Sequence, residues 1–268
     1  MAVKIFACGD IHADYDLLSR FVEEALEREV QLLIFAGDIC NGRKLPCNTN
    51  VLDFIIQAEP ITKILAEIAF PIFFVLGNHD PIALADELTR YPQIKDIHGK
   101  QIEWNGYRIG GIGGSHYVTR QLQSRTIPFP EGNFPYLFDN TDDFEHLRTI
   151  HSNNSPYIYS GVHLLYNKIF PCDVLITHTP PLLPERENFY EASVGLYKLI
   201  TRFRPLLNIS AHVHEPKSII EEITWEKRDY NATTTLINLG SLRNKQICLI
   251  SLSRDEKSIE QIEVEPIE

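Results

Sequence analysis

The sequence predicts an α/β protein built around buried, largely parallel β-strands. Over the first 80 residues, short apolar segments alternate with amphipathic segments, and each of the three apolar segments is followed closely by a glycine. Short apolar strands between helices are typical of parallel sheets that are covered on both faces. The 268 residues allow one large domain or two small ones. Because no linker interrupts the chain, we expect a single domain over residues 1–268.

The first half of the chain supplies three strands and two helices. The strands are predicted over Val3–Cys8, Leu32–Ala36 and Ile72–Leu76. Tyr15–Glu29 carries apolar residues at helical spacing, which predicts the first helix. Asn50–Ala69 predicts the second helix, and Pro60 is expected to kink it or to split it in two.

The second half is less regular before it becomes strand-like again. Short strands are predicted within residues 94–114, and the irregular segment 115–170 contains one candidate helix over Asp139–Ile150. A segment of that length either overhangs a site or is a surface excursion. After it we predict the strand Asp173–Thr177, the helix Glu191–Phe203, the strand Leu207–Ala211, and a closing β-meander over Ser218–Ile223, Thr233–Asn238 and Ile247–Ser253.

Composition limits the classes of function. The formal net charge of −11 argues against a general nucleic-acid binder, which usually carries a basic face. The sequence contains no apolar segment long enough to span a membrane, so no membrane partner is expected. The five cysteines are scattered and form no C-x-x-C pair, which favours reduced thiols and a cytoplasmic location.

Polar residues of one chemical kind follow the predicted strands. They are Asp10 and His12, Asp38, the run Asn78, His79 and Asp80, then His178, and finally His212 and His214. In open α/β sheets, ligands bind at the carboxyl ends of the strands, so these side chains are expected to meet at one edge. Carboxylate, imidazole and amide ligands without thiolate suit manganese, iron or zinc. If the D-x-H and H-x-H segments are extended, both residues of each pair point toward the same metal.

These blocks resemble, in order, the signature of the calcineurin-like metallophosphoesterases. They are GDIH at 9–12, GD at 37–38, GNHD at 77–80, a lone histidine at 178, and AHVH at 211–214. The resemblance extends from Asp10 to His214, and the five blocks together are far more specific than any one of them. The last block usually begins with glycine, where this chain has Ala211. Because alanine is small, we expect a slight backbone shift without loss of the ligands.

The resemblance implies a four-layer αββα sandwich, in which two mixed β-sheets are flanked by helices. It also implies two divalent or trivalent metal ions. Asp10, His12, Asp38 and His214 would hold the first ion, and Asp38, Asn78, His178 and His212 the second, with Asp38 bridging both. A hydroxide between the metals would attack the phosphorus in line, and His79 would act as the general acid. Asp80 would orient His79, although an aspartate before Pro81 also suits a helix cap.

The function implied is hydrolysis of a phosphate ester, by a phosphodiesterase or a phosphomonoesterase. The expected substrate is small and soluble, with nucleotides among the candidates, because THTPP and INLGS resemble the small cyclic-nucleotide-phosphodiesterase-like branch. A protein phosphatase or a nuclease of the same fold is the alternative within enzymes. A non-catalytic scaffold that binds a partner is the alternative outside them.

Two further residues are candidates for substrate binding. Arg43, five residues after Asp38, is placed to bind a phosphate or is an ordinary solvated arginine. His116 follows the glycine-rich run GGIGGS, which is either a loop near the substrate or a tight turn in the second sheet.

Overall fold

The chain folds into two six-stranded β-sheets that face each other, with helices on both outer surfaces, in a computed structural model. The structure describes residues 2–41, 44–45, 50–116, 136–138, 159–161, 168–184, 192–214, 219–227 and 230–267. The described helices are α1 (Tyr15–Glu27), α2 (Val51–Ala66), α3 (Ala83–Leu88) and α4 (Val194–Phe203).

The described strands, in chain order, are β1 (Ala2–Cys8), β2 (Leu32–Ala36), β3 (Ile72–Val75), β4 (Ile94–Asp96), β5 (Gln101–Trp104), β6 (Tyr107–Ile112), β7 (Ser115–His116), β8 (Tyr136–Phe138), β9 (Tyr159–Gly161), β10 (Val174–Thr177), β11 (Leu207–Ser210), β12 (Ile219–Lys227), β13 (Tyr230–Asn238), β14 (Gln246–Ser253) and β15 (Ser258–Pro266).

Both large sheets are mixed. The first has the order β15-β14-β1-β2-β3-β4, in which β1 to β4 are parallel and β14 and β15 are antiparallel to their neighbours. The second has the order β12-β13-β11-β10-β6-β5, with antiparallel pairs only at its two edges. The strands β7, β8 and β9 form a small parallel sheet.

Three apolar layers hold the sandwich together. The inner layer lies between the two sheets, where Ile34 and Phe73 of the first sheet pack in one cluster with Ile176 and Ile209 of the second. Outside the first sheet, α1, α2 and α3 cover a second cluster. Outside the second sheet, α4 covers a third cluster. The predicted αββα sandwich with two mixed sheets is therefore confirmed.

The predicted closing β-meander is wrong. β12 and β13 pair in the second sheet, whereas β14 pairs with β1 in the first sheet. Alternation of apolar and polar residues predicts a strand but not the sheet that it joins, because partner choice depends on tertiary packing. A short 3₁₀ helix at Leu242–Asn244 lies where the chain passes between the sheets. The sequence analysis also missed β15 altogether.

The helix α2 runs through Pro60 as one element, so of the two predicted effects of Pro60, a kink or a split, the split is wrong. It begins with a capping box, in which the Asn50 side chain accepts from the N–H groups of Leu52 and Asp53, and Asp53 accepts from the N–H of Asn50. The predicted helix Asp139–Ile150, like most of segment 115–170, lies outside the described residues. Among the helices that the structure describes, none is both long and apolar enough to cross a membrane.

Candidate metal centre

The carboxyl ends of five strands meet at one edge of the sandwich. The segments that follow β1, β2 and β3 come from the first sheet, and those that follow β10 and β11 come from the second. They bring together the predicted residues Asp10, His12, Asp38, Asn78, His79, His178, His212 and His214. Arg43 lies outside the described residues, and for His116 the structure describes the backbone in β7 but not the side chain.

The chain at this edge is turned, not extended. Asp10 and His12 have φ angles of 51° and 50°, and Asp38 and His212 have φ angles of 55° and 68°. The predicted extended conformation of D-x-H and H-x-H is therefore wrong. His12 Nε2 still lies 3.6 Å from Asp10 Oδ1, because the left-handed turn brings the two side chains to the same side.

One cluster of candidate ligands combines residues of the first and the last sequence block. Asp10, His12 and His214 each offer an atom within 4.8 Å of the others. His214 Nε2 lies 3.0 Å from Asp10 Oδ1 and 3.2 Å from His12 Nε2. Asp10 Oδ2 also accepts the backbone N–H of His212 at 2.7 Å, which ties the last block of the sequence to the first.

A second cluster includes Asp38 itself. Asp38, His178 and His212 form a candidate ligand group of the same size. His178 Nε2 lies 3.0 Å from Asn78 Oδ1, 3.1 Å from His212 Nδ1 and 3.6 Å from Asp38 Oδ1. The amide oxygen of Asn78 is thus a fourth oxygen or nitrogen donor in this cluster.

Asp38 belongs to the second cluster and also approaches the first. Its Oδ1 faces His178, and its Oδ2 lies 3.9 Å from His12 Nε2. The residue is only 2% exposed. Burial raises the pKa of its carboxyl, but the positive charges that His178, His79 and His12 carry when they are protonated lower it by more, so the net pKa lies below its usual range. Asp38 is therefore an anion in the middle of a group of imidazoles.

The imidazoles are prepared to bind a cation. His178 Nδ1 lies 2.7 Å from the carbonyl oxygen of Ala36, and His12 Nδ1 lies 3.2 Å from that of Cys40. Since a carbonyl only accepts, each Nδ1 carries the proton, and each Nε2 presents a lone pair to the site. In His178 that lone pair faces the amide oxygen of Asn78, which is also an acceptor. Converging lone pairs with outer protons held by carbonyls are what a metal-binding histidine requires.

The protonation states agree with that arrangement. Burial lowers the pKa of His12, although Asp38 and Asp10 oppose the shift. Burial, with the charge of His178 next, lowers the pKa of His212 to about 3. Both imidazoles are therefore neutral at pH 7, which is the form that binds metals.

His79 lies beside Asp38. Its backbone N–H donates to Asp38 Oδ1 at 2.7 Å, and its Nε2 lies 3.9 Å from Asp38 Oδ2. The ring packs edge-on against His12 with centroids 4.9 Å apart. Its side chain keeps 11% of its surface exposed, so the imidazole is not sealed off from solvent.

Asp80 is buried and holds two loops together. Its Oδ1 accepts the N–H of Cys40 at 2.7 Å, and its Oδ2 accepts the N–H of Gly77 at 2.9 Å. Burial, and then the charge of Asp38, raise its pKa to about 7. The alternative role as a helix cap is wrong, because the N-cap of α3 is Ile82 and no side chain caps it.

Close packing of the two sheets depends on a glycine at the end of β2. Gly37 has a φ of 90°, and a Cβ there would lie 2.5 Å from His178 Nδ1. Only glycine combines this backbone conformation with so near a neighbour. The ring of His178 can therefore reach across from the second sheet to the loop that carries Asp38.

Several residues that border the site were not predicted from the sequence. Ser115 Oγ lies 3.2 Å from His212 Nε2, so GGIGGS does reach the site, through its serine. Its first glycines, Gly110 and Gly111, lie in β6 and form no turn. Ser241 Oγ donates to the carbonyl of Asp10, and Arg243 donates to that of His12. Only the INLGS resemblance pointed to Ser241, and no sequence signal pointed to Arg243.

Comparisons with known proteins indicate the family and the fold. The sequence profile of the calcineurin-like phosphoesterase family matches residues 3–216. One solved structure aligns over 100% of both chains with 18% identity and a TM-score of 0.65. The protein TT1561 of Thermus thermophilus aligns over 100% of both chains with 16% identity and a TM-score of 0.53. A dimetal phosphatase from Danio rerio aligns over 99% of each chain with 11% identity and a TM-score of 0.52. No curated protein sequence matches the chain.

Proposed function

The chain belongs to the calcineurin-like phosphoesterase family and is a metal-dependent phosphoric ester hydrolase, and we propose that it hydrolyses a small phosphate ester at a two-metal centre. Asp10, His12, Asp38 and His214 hold the first cation. Asp38, Asn78, His178 and His212 hold the second. The observation that carries this proposal is the position of Asp38, whose two oxygens face different clusters.

Manganese, iron and zinc all accept this donor set of imidazole, carboxylate and amide oxygen. When bound, two such cations lower the pKa of a coordinated water and neutralise charge on a phosphoryl group. The protein residues orient the phosphate. The loops after β1 and β2 are joined by backbone hydrogen bonds from Asp10 to Gly37 and from His12 to Asp38, each of 2.9 Å. Because these hydrogen bonds fix the loops that carry the ligands, the site holds the ester in a reactive geometry.

His79 acts as the general acid in this proposal. Its imidazole lies beside Asp38 and keeps part of its surface exposed, so it could approach the leaving oxygen of an ester bound at the site. A histidine that holds a proton near pH 7 protonates that oxygen as the P–O bond breaks. Asp80 acts at one remove, by fixing the loops on both sides of His79 through the N–H groups of Cys40 and Gly77.

A small substrate suits the charge of the chain. The net charge of −11 disfavours a polyanionic nucleic acid, while bound cations at the site attract a single phosphate group. Nucleotides are the first class to screen. We also propose a cytoplasmic location, which suits the four cysteines that form no disulfide: Cys8, Cys40, Cys172 and Cys248.

The first experiment measures hydrolysis by the manganese-loaded protein. Activity on bis-p-nitrophenyl phosphate against p-nitrophenyl phosphate separates a diesterase from a monoesterase. Asp38→Asn removes the charge between both clusters, so it is expected to bind fewer than two cations and to lose activity. The control is Asp86→Asn, which changes an exposed carboxyl on α3 and should behave as the parent. An Asp38→Asn variant that binds two cations as tightly as the parent would refute the ligand assignment.

His79→Ala tests the general acid. We expect metal content to stay unchanged and turnover of an ester with a poor leaving group, such as a methyl ester, to fall by about 10²–10⁴-fold. The fall should be much smaller for p-nitrophenyl esters, because p-nitrophenolate departs without a proton. Equal losses on both kinds of ester, or loss of metal, would assign His79 a different role.

A further inference from the structure

His212 Nε2 faces away from the second cluster, and among the described side chains Ser115 is the one in hydrogen-bonding contact with it. The residue begins β7 and is 8% exposed, and its Oγ lies 3.2 Å from His212 Nε2. The opposite nitrogen, His212 Nδ1, lies 3.1 Å from His178 Nε2, inside the second cluster. His212 therefore faces the proposed cation through Nδ1 and faces Ser115 through Nε2.

The tautomer of His212 follows from these two contacts. A nitrogen that binds a cation must be unprotonated, so in the loaded site the single proton of neutral His212 lies on Nε2. A partly buried N–H without an acceptor would raise the free energy of the loaded state. A serine hydroxyl can accept this proton in a hydrogen bond. Because it can also donate, it can pair with either tautomer of His212, whereas a carbonyl or an amide N–H could pair with only one.

We propose that Ser115 is a positioning residue of the metal centre, whose Oγ accepts the Nε2 proton of His212 and keeps Nδ1 turned toward the second cation. The inference rests on the proposed two-metal function and deepens it. It assigns the glycine-rich run a role in cation affinity, separate from any contact with substrate.

The backbone around Ser115 is fixed from three directions. The N–H of Gly113 donates to His98 Nδ1 at 2.8 Å, and the N–H of Gly114 donates to the carbonyl of Leu76 at 2.7 Å. Thr179 Oγ1 donates to the carbonyl of Gly114 at 3.0 Å. These bonds connect the turn to the segments that carry Asn78 and His178. The hydroxyl is consequently held in place instead of being carried on a free loop.

Calorimetric titration with Mn²⁺ tests the inference without using activity. The parent is expected to bind two cations. Ser115→Ala should weaken one of the two sites by about 10–100-fold, which is the usual effect of removing an outer partner of a metal-binding histidine, and leave the other site unchanged. Ser115→Thr keeps the hydroxyl and should restore the affinity to within about 3-fold of the parent. Thermal unfolding of the metal-free variants checks that all three proteins are folded.

A spectroscopic measurement supplies an independent readout. In the zinc-loaded protein with ¹⁵N-labelled histidine, the Nε2 proton of His212 should exchange slowly in the parent and in Ser115→Thr, and rapidly in Ser115→Ala. The signal is assigned by its absence from His212→Asn. Two-site binding by Ser115→Ala as tight as that of the parent would overturn this inference alone, as would a threonine variant as weak as the alanine variant. A parent that binds fewer than two cations would overturn the proposed function and the inference with it.

Discussion

Several residues of the site adopt a backbone conformation that their side chains disfavour. Asp10, His12, Ala13 and Asp38 all have φ angles between 50° and 55°. A left-handed conformation costs a non-glycine residue about 1–2 kcal/mol. Hydrogen bonds between the two loops offset this cost, since Asp10 donates to the carbonyl of Gly37, His12 to that of Asp38, and Ala13 to that of Ile39. Strain of this kind concentrates at functional sites, where it fixes the direction of side chains before any ligand arrives.

Ala211 stands where the last block of the family usually has glycine, and it packs directly against Gly9. A Cβ on Gly9 would collide with the Cβ of Ala211. The methyl group of Ala211 therefore fits only because residue 9 is glycine. His212 still donates its N–H to Asp10 at 2.7 Å. The methyl group of Ala211 is thus accommodated by Gly9, the first residue of the GDIH block.

This pairing predicts a compensating substitution. Gly9→Ala should destabilise the protein by about 1–3 kcal/mol, which is typical of overpacking, and should weaken metal binding because Asp10 is the next residue. Gly9→Ala combined with Ala211→Gly should recover most of both losses. Denaturant unfolding and Mn²⁺ titration of the two single variants and the double variant measure the coupling. Simple addition of the two single effects would show that the two residues do not share this space.

At the scale of elements, the sequence was informative where a strand was short, apolar and followed by a motif. β1, β2, β10 and β11 lie within one residue of their predicted bounds. The left-handed turns were not predictable, because Asp, His and Ala at these positions do not require positive φ as glycine often does. The placement of β14 was not predictable either, since an alternating pattern does not indicate which of the two sheets a strand joins. Ser115 was missed because a hydroxyl after a glycine-rich run has no distinctive spacing.

His98 connects elements that lie outside the metal cluster. It follows β4, pairs with Gly111 of β6 as an isolated bridge, and accepts the N–H of Gly113 on Nδ1. Burial lowers its pKa from 6.5 to about 3, and Lys100 and Lys168 contribute to the shift. The folded protein therefore keeps this imidazole neutral, while the unfolded chain takes up a proton below pH 6.5.

The titration of His98 predicts how the free energy of unfolding depends on pH. Because the folded pKa is lower than the unfolded pKa, the stabilising effect is complete above pH 6.5 and is lost as the pH falls toward 3. Between pH 7 and pH 5, His98 should account for about 2 kcal/mol of lost stability. His98→Asn keeps an acceptor for Gly113 without titrating, so its free energy of unfolding should fall less over that range. Parallel urea titrations of the metal-free proteins measure this difference, and equal slopes with pH would contradict the prediction.

At the scale of the whole molecule, the proposed centre joins the two sheets. The first sheet carries Asp10, His12, Asp38 and Asn78, and the second carries His178, His212 and His214. Away from this edge, the sheets are joined by the apolar layer between them and by polar contacts such as the hydrogen bond that the Tyr107 hydroxyl donates to the carbonyl of Ser253. Cations bound at the edge would therefore link both halves of the sandwich through direct bonds, which the unfolded chain cannot reproduce.

Metal binding should consequently stabilise the whole fold and not only the loops. At a free Mn²⁺ concentration of 100 times the dissociation constant, each site adds about 2.7 kcal/mol to the free energy of unfolding. For a chain of this size that corresponds to an increase in melting temperature of about 5–10 °C per site. Removal of metal with a chelator should reverse the increase, and Asp38→Asn should abolish most of it, whereas the exposed-residue control Asp86→Asn should retain it. Calorimetric unfolding should show one transition throughout, because the cations act on both sheets at once. A melting temperature that does not respond to Mn²⁺ in the parent would separate these side chains from metal binding and would remove the basis for the two-metal proposal.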